Sequence, residues 1–195
     1  MKIWNSSAVR LLSLLASSAI LVSGCAIGDQ AGGDGSQSTV PNEKPSEVKD
    51  PREASGASPC DLLKAGDAQA MGLEPTGEVT PNQLDPTMPD SCEWQSPGGE
   101  TSVALSAIPG RSIQQYRESA ASYVDFAEME IAGHPAVQAN NAPPESGSCG
   151  IYLATKDDQI LFSFAFDTPP GEKFDPCSYA KGALERSVPG LPSAK

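Results

Sequence analysis

Ile151-Tyr152-Leu153-Ala154-Thr155-Lys156-Asp157-Asp158-Gln159-Ile160-Leu161-Phe162-Ser163-Phe164-Ala165-Phe166 is where the fold is decided. Ile151 and Leu153 alternate on one strand, Asp157-Asp158 makes the turn, and Ile160, Phe162, Phe164 and Phe166 alternate on the next. Alternation with a period of two, closed by a tight polar turn, predicts an antiparallel hairpin. The second strand carries one strongly apolar face, and helices are expected to cover it.

Downstream lies one such helix. Asp175-Pro176 is an N-cap followed by proline at the first helical position. Cys177, Ala180, Leu184 and Val188 then fall on one stripe before Pro189-Gly190 ends it. Upstream, Glu128 to Ile131 and Ala136 to Ala139 read as short strands around Gly133-His134-Pro135. Ser112 and Gln115 form a capping box, and Ile113, Tyr116, Ala120, Tyr123 and Ala127 repeat at helical spacing. Cys92 and Trp94, two apart, share one face of a strand. Pro97-Gly98-Gly99 turns the chain, and Val103, Leu105 and Ala107 alternate along the strand from Thr101 to Ile108. Before them come a helical opening, Pro59 to Leu63 and Gly66 to Met71, and a Pro-rich loop from Thr80 to Asp90. The order α-β-β-α-β-β-β-β-α predicts an α+β domain over residues 59–192, an antiparallel sheet with helices packed on it.

The N-terminal part has a different character. Lys2 and Arg10 make a positive region, Leu11 to Val22 is apolar, and Ser23-Gly24 leads directly into Cys25. The apolar run is about 12 residues, short of the roughly 20 that cross a hydrocarbon core. Leu21-Val22-Ser23-Gly24-Cys25 has the pattern of a bacterial lipobox, in which the thiol receives a diacylglycerol and the leader is cut ahead of it. Residues 1–24 are thus expected to be a lipoprotein signal peptide. The expected product is lipid-anchored through Cys25 on the outer face of the cytoplasmic membrane, with membrane lipid as its first partner. Residues 25–58 hold the lipidated cysteine and an acidic Gly/Ser/Pro-rich linker with no aromatic residue. Such a stretch buries too little apolar surface to offset its ordering entropy and is expected to be a disordered tether. Its reach as a coil is roughly 30 Å.

Loss of Lys2 and Arg10 with the leader would take the formal charge from −12 to −14. An acidic chain without clustered Lys and Arg argues against nucleic acid and against a basic patch docking on anionic lipid. Beyond Cys25 the cysteines are Cys60, Cys92, Cys149 and Cys177. An even number in an oxidising compartment implies two disulfides, of which three pairings exist. Cys60–Cys92 and Cys149–Cys177 are favoured, because each joins neighbours within one half of the domain. Each closes a loop of about 30 residues, worth roughly 3.5 kcal/mol in the chain-entropy model. No Cys-x-x-Cys knuckle supports zinc and no Asp-x-Asp-x-Asp-Gly loop supports calcium, so neither metal nor cofactor is expected.

Catalytic sets are missing as well. There is no Gly-x-Ser-x-Gly elbow and no His-Glu-x-x-His, and no Ser-x-x-Lys active-site set with its Ser-Asp-Asn and Lys-Thr-Gly partners. His134 is the single histidine. Between Gly133 and Pro135 it is more often structural than catalytic, although with acidic partners it would serve a hydrolase. Glu128 and Glu130 could project from one strand face with Asp125 nearby, as a solvated face or a carboxylate pair. Trp94 fits a core role beside a disulfide. Tyr116, Tyr123 and Tyr152, with Tyr179, suit the rim of a ligand cleft, because their polar tips tolerate water.

Five landmarks carry a resemblance: Pro59-Cys60-Asp61-Leu62-Leu63, Cys92-Glu93-Trp94, Ile131-Ala132-Gly133-His134-Pro135-Ala136-Val137, Cys149-Gly150-Ile151 and Pro176-Cys177-Ser178-Tyr179-Ala180. In this order the chain resembles a family of actinomycete lipoproteins known only as a domain of unknown function. The resemblance implies a compact α+β module tethered to the membrane, and it brings no activity, ligand or catalytic residue.

The expectation is a non-enzymatic binding or interaction module that captures a small apolar ligand or an envelope protein. The alternatives are an envelope hydrolase built on His134 and an accessory subunit of a membrane complex. The anchor is testable directly. Cys25→Ala should abolish incorporation of labelled fatty acid and leave the leader uncut; continued lipid labelling would remove Cys25 as the attachment site.

Overall fold

Seven strands pair into one antiparallel sheet: β1 (Glu78–Thr80), β2 (Ser91–Gln95), β3 (Thr101–Pro109), β4 (Asp125–Ile131), β5 (His134–Asn140), β6 (Ser148–Lys156) and β7 (Gln159–Asp167). Their spatial order is β1-β2-β3-β7-β6-β5-β4. Among the described residues three α-helices accompany them: α1 (Ala65–Ala70), α2 (Ile113–Glu118) and α3 (Pro176–Ser187). The computed structural model describes residues 48–56, 58–82, 88–168 and 174–194, all within the compact unit Glu43–Lys195. The expected leader, Cys25 and the linker as far as residue 47 lie outside the described residues.

The topology is two meanders joined by one crossover. β1-β2-β3 zigzags, the chain leaves through α2 to the opposite edge, and β4-β5-β6-β7 zigzags back until β7 lies against β3. That pairing runs from Thr101↔Asp167 to Pro109↔Gln159. The expected hairpin is β6–β7, with a register shift between Ala154 and Lys156. The expected order of elements is broadly met, with β1 added just ahead of the Pro-rich loop and overlapping it at Thr80. β1 pairs with β2 through Glu78↔Glu93, Val79↔Cys92 and Thr80↔Ser91, with its side chains exposed.

One face of the sheet holds the main core. Trp94, Val103, Leu105, Ile151, Leu153 and Leu161 are buried there against Ala180, Ala183 and Leu184 of α3 and Leu62 and Leu63 of the N-terminal turn. α3 starts as its sequence predicts, with Asp175 accepting hydrogen bonds from the Cys177 and Ser178 amides at 3.1 Å each. Its position corrects the expected covering of the hairpin. α3 lies over the Leu161/Ser163/Ala165 face of β7, opposite the phenylalanines. Small side chains on the strand and on the helix let the two backbones approach, whereas a row of phenyl rings would hold a helix off.

The second face is covered in part. α2 packs Ile113 and Tyr116 there against Ile108, Val137, Ala139, Ala154 and Ile160. The helical spacing predicts α2 to run on to Ala127, but it ends at Glu118. Ser122 Oγ donates to the Ser119 carbonyl at 2.7 Å, and the Val124 amide is already bonded to Asn140 of β5 at 2.9 Å. Tyr123 and Ala127 therefore leave the helix because the β5 ladder takes up the backbone beyond it.

Both favoured disulfides are present. Cys60–Cys92 ties the turn Pro59–Asp61 to β2, and Cys149–Cys177 ties β6 to the first turn of α3. Gly77 lies against the first of them. A Cβ there would sit 2.5 Å from Cys92 Sγ and 2.8 Å from Trp94 Cε2, so only hydrogen fits.

The linker expectation is corrected at its C-terminal end. Residues 48–56 form a strap in which Val48 and Ala54 are buried. The Arg52 amide donates to Thr155 O at 2.9 Å and the Glu53 amide to Pro192 O at 2.8 Å, while Ala194 returns a bond to Pro51 O. Buried Gln159 is the hub. Its Oε1 accepts from the Ala54 amide (2.8 Å) and Thr155 Oγ1 (2.9 Å), and its Nε2 donates to Glu53 and Ser55 at 2.8 Å each. Composition misses this strap because backbone bonds and one buried amide, rather than apolar area, hold it. Lys156, 2.8 Å away, holds the Glu53 carboxyl down to about 2, helped by Gln159 and Ser55.

Two outcomes follow. A methyl group at position 77 overpacks the core, which costs about 1–3 kcal/mol. Gly77→Ala is therefore expected to lower the urea midpoint with both disulfides intact, and an unchanged midpoint would show that Cys92 and Trp94 can part. For Glu53 the depressed pKa means that its contribution is complete above about pH 4.5 and is lost as pH falls toward 2. Glu53→Gln should lower stability at neutral pH, with the gap to the parent closing in acid; a gap independent of pH would show that the carboxylate charge is not what secures the strap.

Candidate functional site

The open part of the second face is built by two strands of opposite character. Along β7, Ile160, Phe162, Phe164 and Phe166 point to this side, and β3 sets Ile108, Ser106, Ala104 and Ser102 directly opposite them. Large side chains facing small ones leave a trough over β3, walled by half-buried phenyl rings. Met88 and Pro89 line one end and Ser91 of β2 the far side, enclosing about 200 Å³.

The phenylalanine wall continues as an aromatic ladder. Ring centroids are 4.2 Å apart for Tyr116 and Tyr152, 4.5 Å for Tyr152 and Phe162, 6.2 Å for Phe162 and Phe164, and 5.9 Å for Phe164 and Phe166. Offset contacts of this kind add about 0.5–1.5 kcal/mol per pair beyond area burial. The three expected cleft tyrosines do come together. Tyr116 is buried under α2, with Tyr123 and Tyr152 packed beside it, and Tyr123 stacks on Phe126 at 6.1 Å. Burial pushes the Tyr116 phenol up, opposed by the Arg111 charge, and pushes Tyr152 up further. Both hydroxyls stay neutral near pH 7.

The tyrosines thus form the packed end of the ladder, and the phenylalanines form its open end. Phe162, Phe164, Ala104 and Ser106 are absent from the sequence-based cleft. The alternation on β7 was the available signal, but which strand lies beside it depends on a pairing between distant segments.

Other candidates are dispersed. Trp94 is buried in the main core next to Cys92, and Tyr179 packs on Phe174 at 4.8 Å. His134 is 2% exposed, with Nδ1 3.0 Å from the Ala154 carbonyl. It shares the α3 side of the sheet with its partner Ile131, whereas Glu128 and Glu130 are exposed on the other side. The backbone of the sheet separates histidine from glutamates. Glu128 instead meets Arg117 Nε at 2.8 Å. Asp125, expected near the glutamates, faces the opposite way and accepts from Gln138 Nε2 (2.6 Å) and Asn140 Nδ2 (2.9 Å). Asn140 in turn receives the Gly150 amide at 2.7 Å, so this network braces β4, β5 and β6.

A second opening, about 350 Å³, adjoins the trough on the same face across β1 and β2, lined by Glu74, Glu78, Glu93, Thr80 and Gln95 among others. Among the described residues no group of His, Cys, Asp or Glu is arranged to hold a metal ion.

A family model described as "Protein of unknown function (DUF3558)" matches residues 20–190, which is most of the chain. No curated protein and no solved structure matches.

Proposed function

The chain belongs to the DUF3558 family, and we propose that it is an exported actinomycete lipoprotein whose domain is a non-enzymatic binding module for a small apolar ligand. The observation that carries this reading is the trough of about 200 Å³ on the second face, with Phe162 and Phe164 as its wall and Ala104 and Ser106 opposite. Rings half-exposed in a row offer a flat apolar surface with little side-chain entropy left to lose. Small side chains beneath them leave room for a guest, and apolar pockets with a few polar groups are the usual form of small-molecule sites.

Export and anchoring rest on the leader and Cys25, and the two disulfides support them, since such bonds persist in oxidising compartments. With residues 48–56 in the domain, the proposed coil shortens to residues 26–47, reaching roughly 25 Å. The hydrolase alternative loses support from the placement of His134, which faces α3 while the glutamates face the other way.

Native mass spectrometry tests the proposal on residues 26–195 exported by the native host behind a cleavable leader. The expected result is a co-purifying mass that disappears on denaturation and in Phe164→Ser, and that survives in His134→Ala. Loss with His134→Ala but not with Phe164→Ser would overturn the aromatic-face site.

A further inference from the structure

We propose that the ligand of the aromatic trough is a cationic amphiphile, a primary or quaternary amine carrying an apolar group, with its charge between Glu78 and Glu93. This inference rests on the binding reading above and names the chemistry of the same site.

The register places one straight row of residues across the second face. Glu78 pairs with Glu93, Glu93 with Ala104, and Ala104 with Phe164. A carboxylate pair, a small side chain and a phenyl ring thus follow one another on three adjoining steps. Neighbouring strands are about 4.8 Å apart, so the carboxylate of Glu93 and the ring of Phe164 belong to strands roughly 10 Å apart. A guest that contacts both is an amphiphile of about that length.

Charge decides its sign. Like charges directly opposite in an antiparallel pair sit with Cβ atoms about 5 Å apart and destabilise the sheet. Glu78 and Glu93 bear that cost at a two-strand edge, with Glu74 on the same opening. Glu93 accepts one hydrogen bond, from Gln95 Nε2 at 3.0 Å. Among the described residues no lysine or arginine lines either opening. A cation resting between the two carboxylates relieves their repulsion. The chain's own segment before Val48 is a poor occupant, because Asp29, Asp34, Glu43 and Glu47 outweigh Lys44.

The test uses residues 26–195, which contain the whole compact unit, and three probes of equal length: 5-phenylpentylamine, 5-phenylpentanol and 5-phenylpentanoate. Affinities come from calorimetry, and amide NMR shifts report on Phe162 and Phe164. The amine should bind roughly fivefold tighter than the alcohol, and the carboxylate weakest. Glu78→Gln with Glu93→Gln should bring the amine to the level of the alcohol and leave the alcohol unchanged, and about 0.5 M salt should narrow the same gap. Removing the like-charge pair relieves repulsion, so the double variant stays folded and its urea midpoint should not fall. Equal binding of amine and alcohol would overturn the cationic assignment while the aromatic site stands. Failure of all three probes to shift Phe162 or Phe164 would overturn both readings.

Discussion

The ladder between β3 and β7 is the constraint on which the domain depends. Among the described residues it is the only strand pairing that joins the first meander to the second. Neither disulfide crosses it directly: Cys60–Cys92 staples the turn before α1 to β2, and Cys149–Cys177 staples β6 to α3. The halves are therefore cross-linked within themselves and joined to each other by hydrogen bonds and packing. α3 reinforces the joint, because it lies over β3, β6 and β7 while its own first turn is fixed to β6. The two segments that form the ladder are some fifty residues apart in the chain, so its closure entropy has to be met before either face of the sheet is complete.

The same ladder makes the site. β3 brings a run of small residues on its second face, and β7 brings phenylalanines. Taken alone, the first is an unremarkable polar strand edge and the second an exposed apolar ridge. Pairing them turns the difference in side-chain volume into a trough, and β2 then adds carboxylates on the far side. The opposite face follows the inverse rule. Ser163 and Ala165 of β7 are small where α3 must come close, and the bulk is carried by Leu105, Ile151 and Leu153 on neighbouring strands. One strand thus presents rings to the open face and small side chains to the helix.

Much of this was legible from local patterns. The β6–β7 hairpin, the Asp175 cap of α3, the shared face of Cys92 and Trp94 and both disulfide pairings follow from spacing within a few dozen residues. What escaped has a common cause. The side on which α3 would settle depended on comparing Phe162 and Phe164 with Ser163 and Ala165 as helix-packing surfaces, and alternation alone names the apolar face without saying which partner fits it. The extension of α2 to Tyr123 and Ala127 was a fair reading of helical spacing, overridden when β4 found β5. The strap at residues 48–56 was hidden because its anchors are Thr155, Gln159 and Pro192, more than a hundred residues away. The phenylalanine end of the ladder was missed for a related reason: a cleft was sought among tyrosines for their polar tips, and the open surface is formed by rings that have none.

Gly77 carries a consequence in evolutionary terms. The space that a side chain would need is filled by the sulfur of Cys92 and the indole of Trp94. While those two remain, selection has no alternative to glycine at this position. Loss of the disulfide alone would not free the position, because the Trp94 indole still stands 2.8 Å from where a Cβ would lie. Gly77, Cys92 and Trp94 therefore constrain one another, even though the glycine itself carries no chemistry.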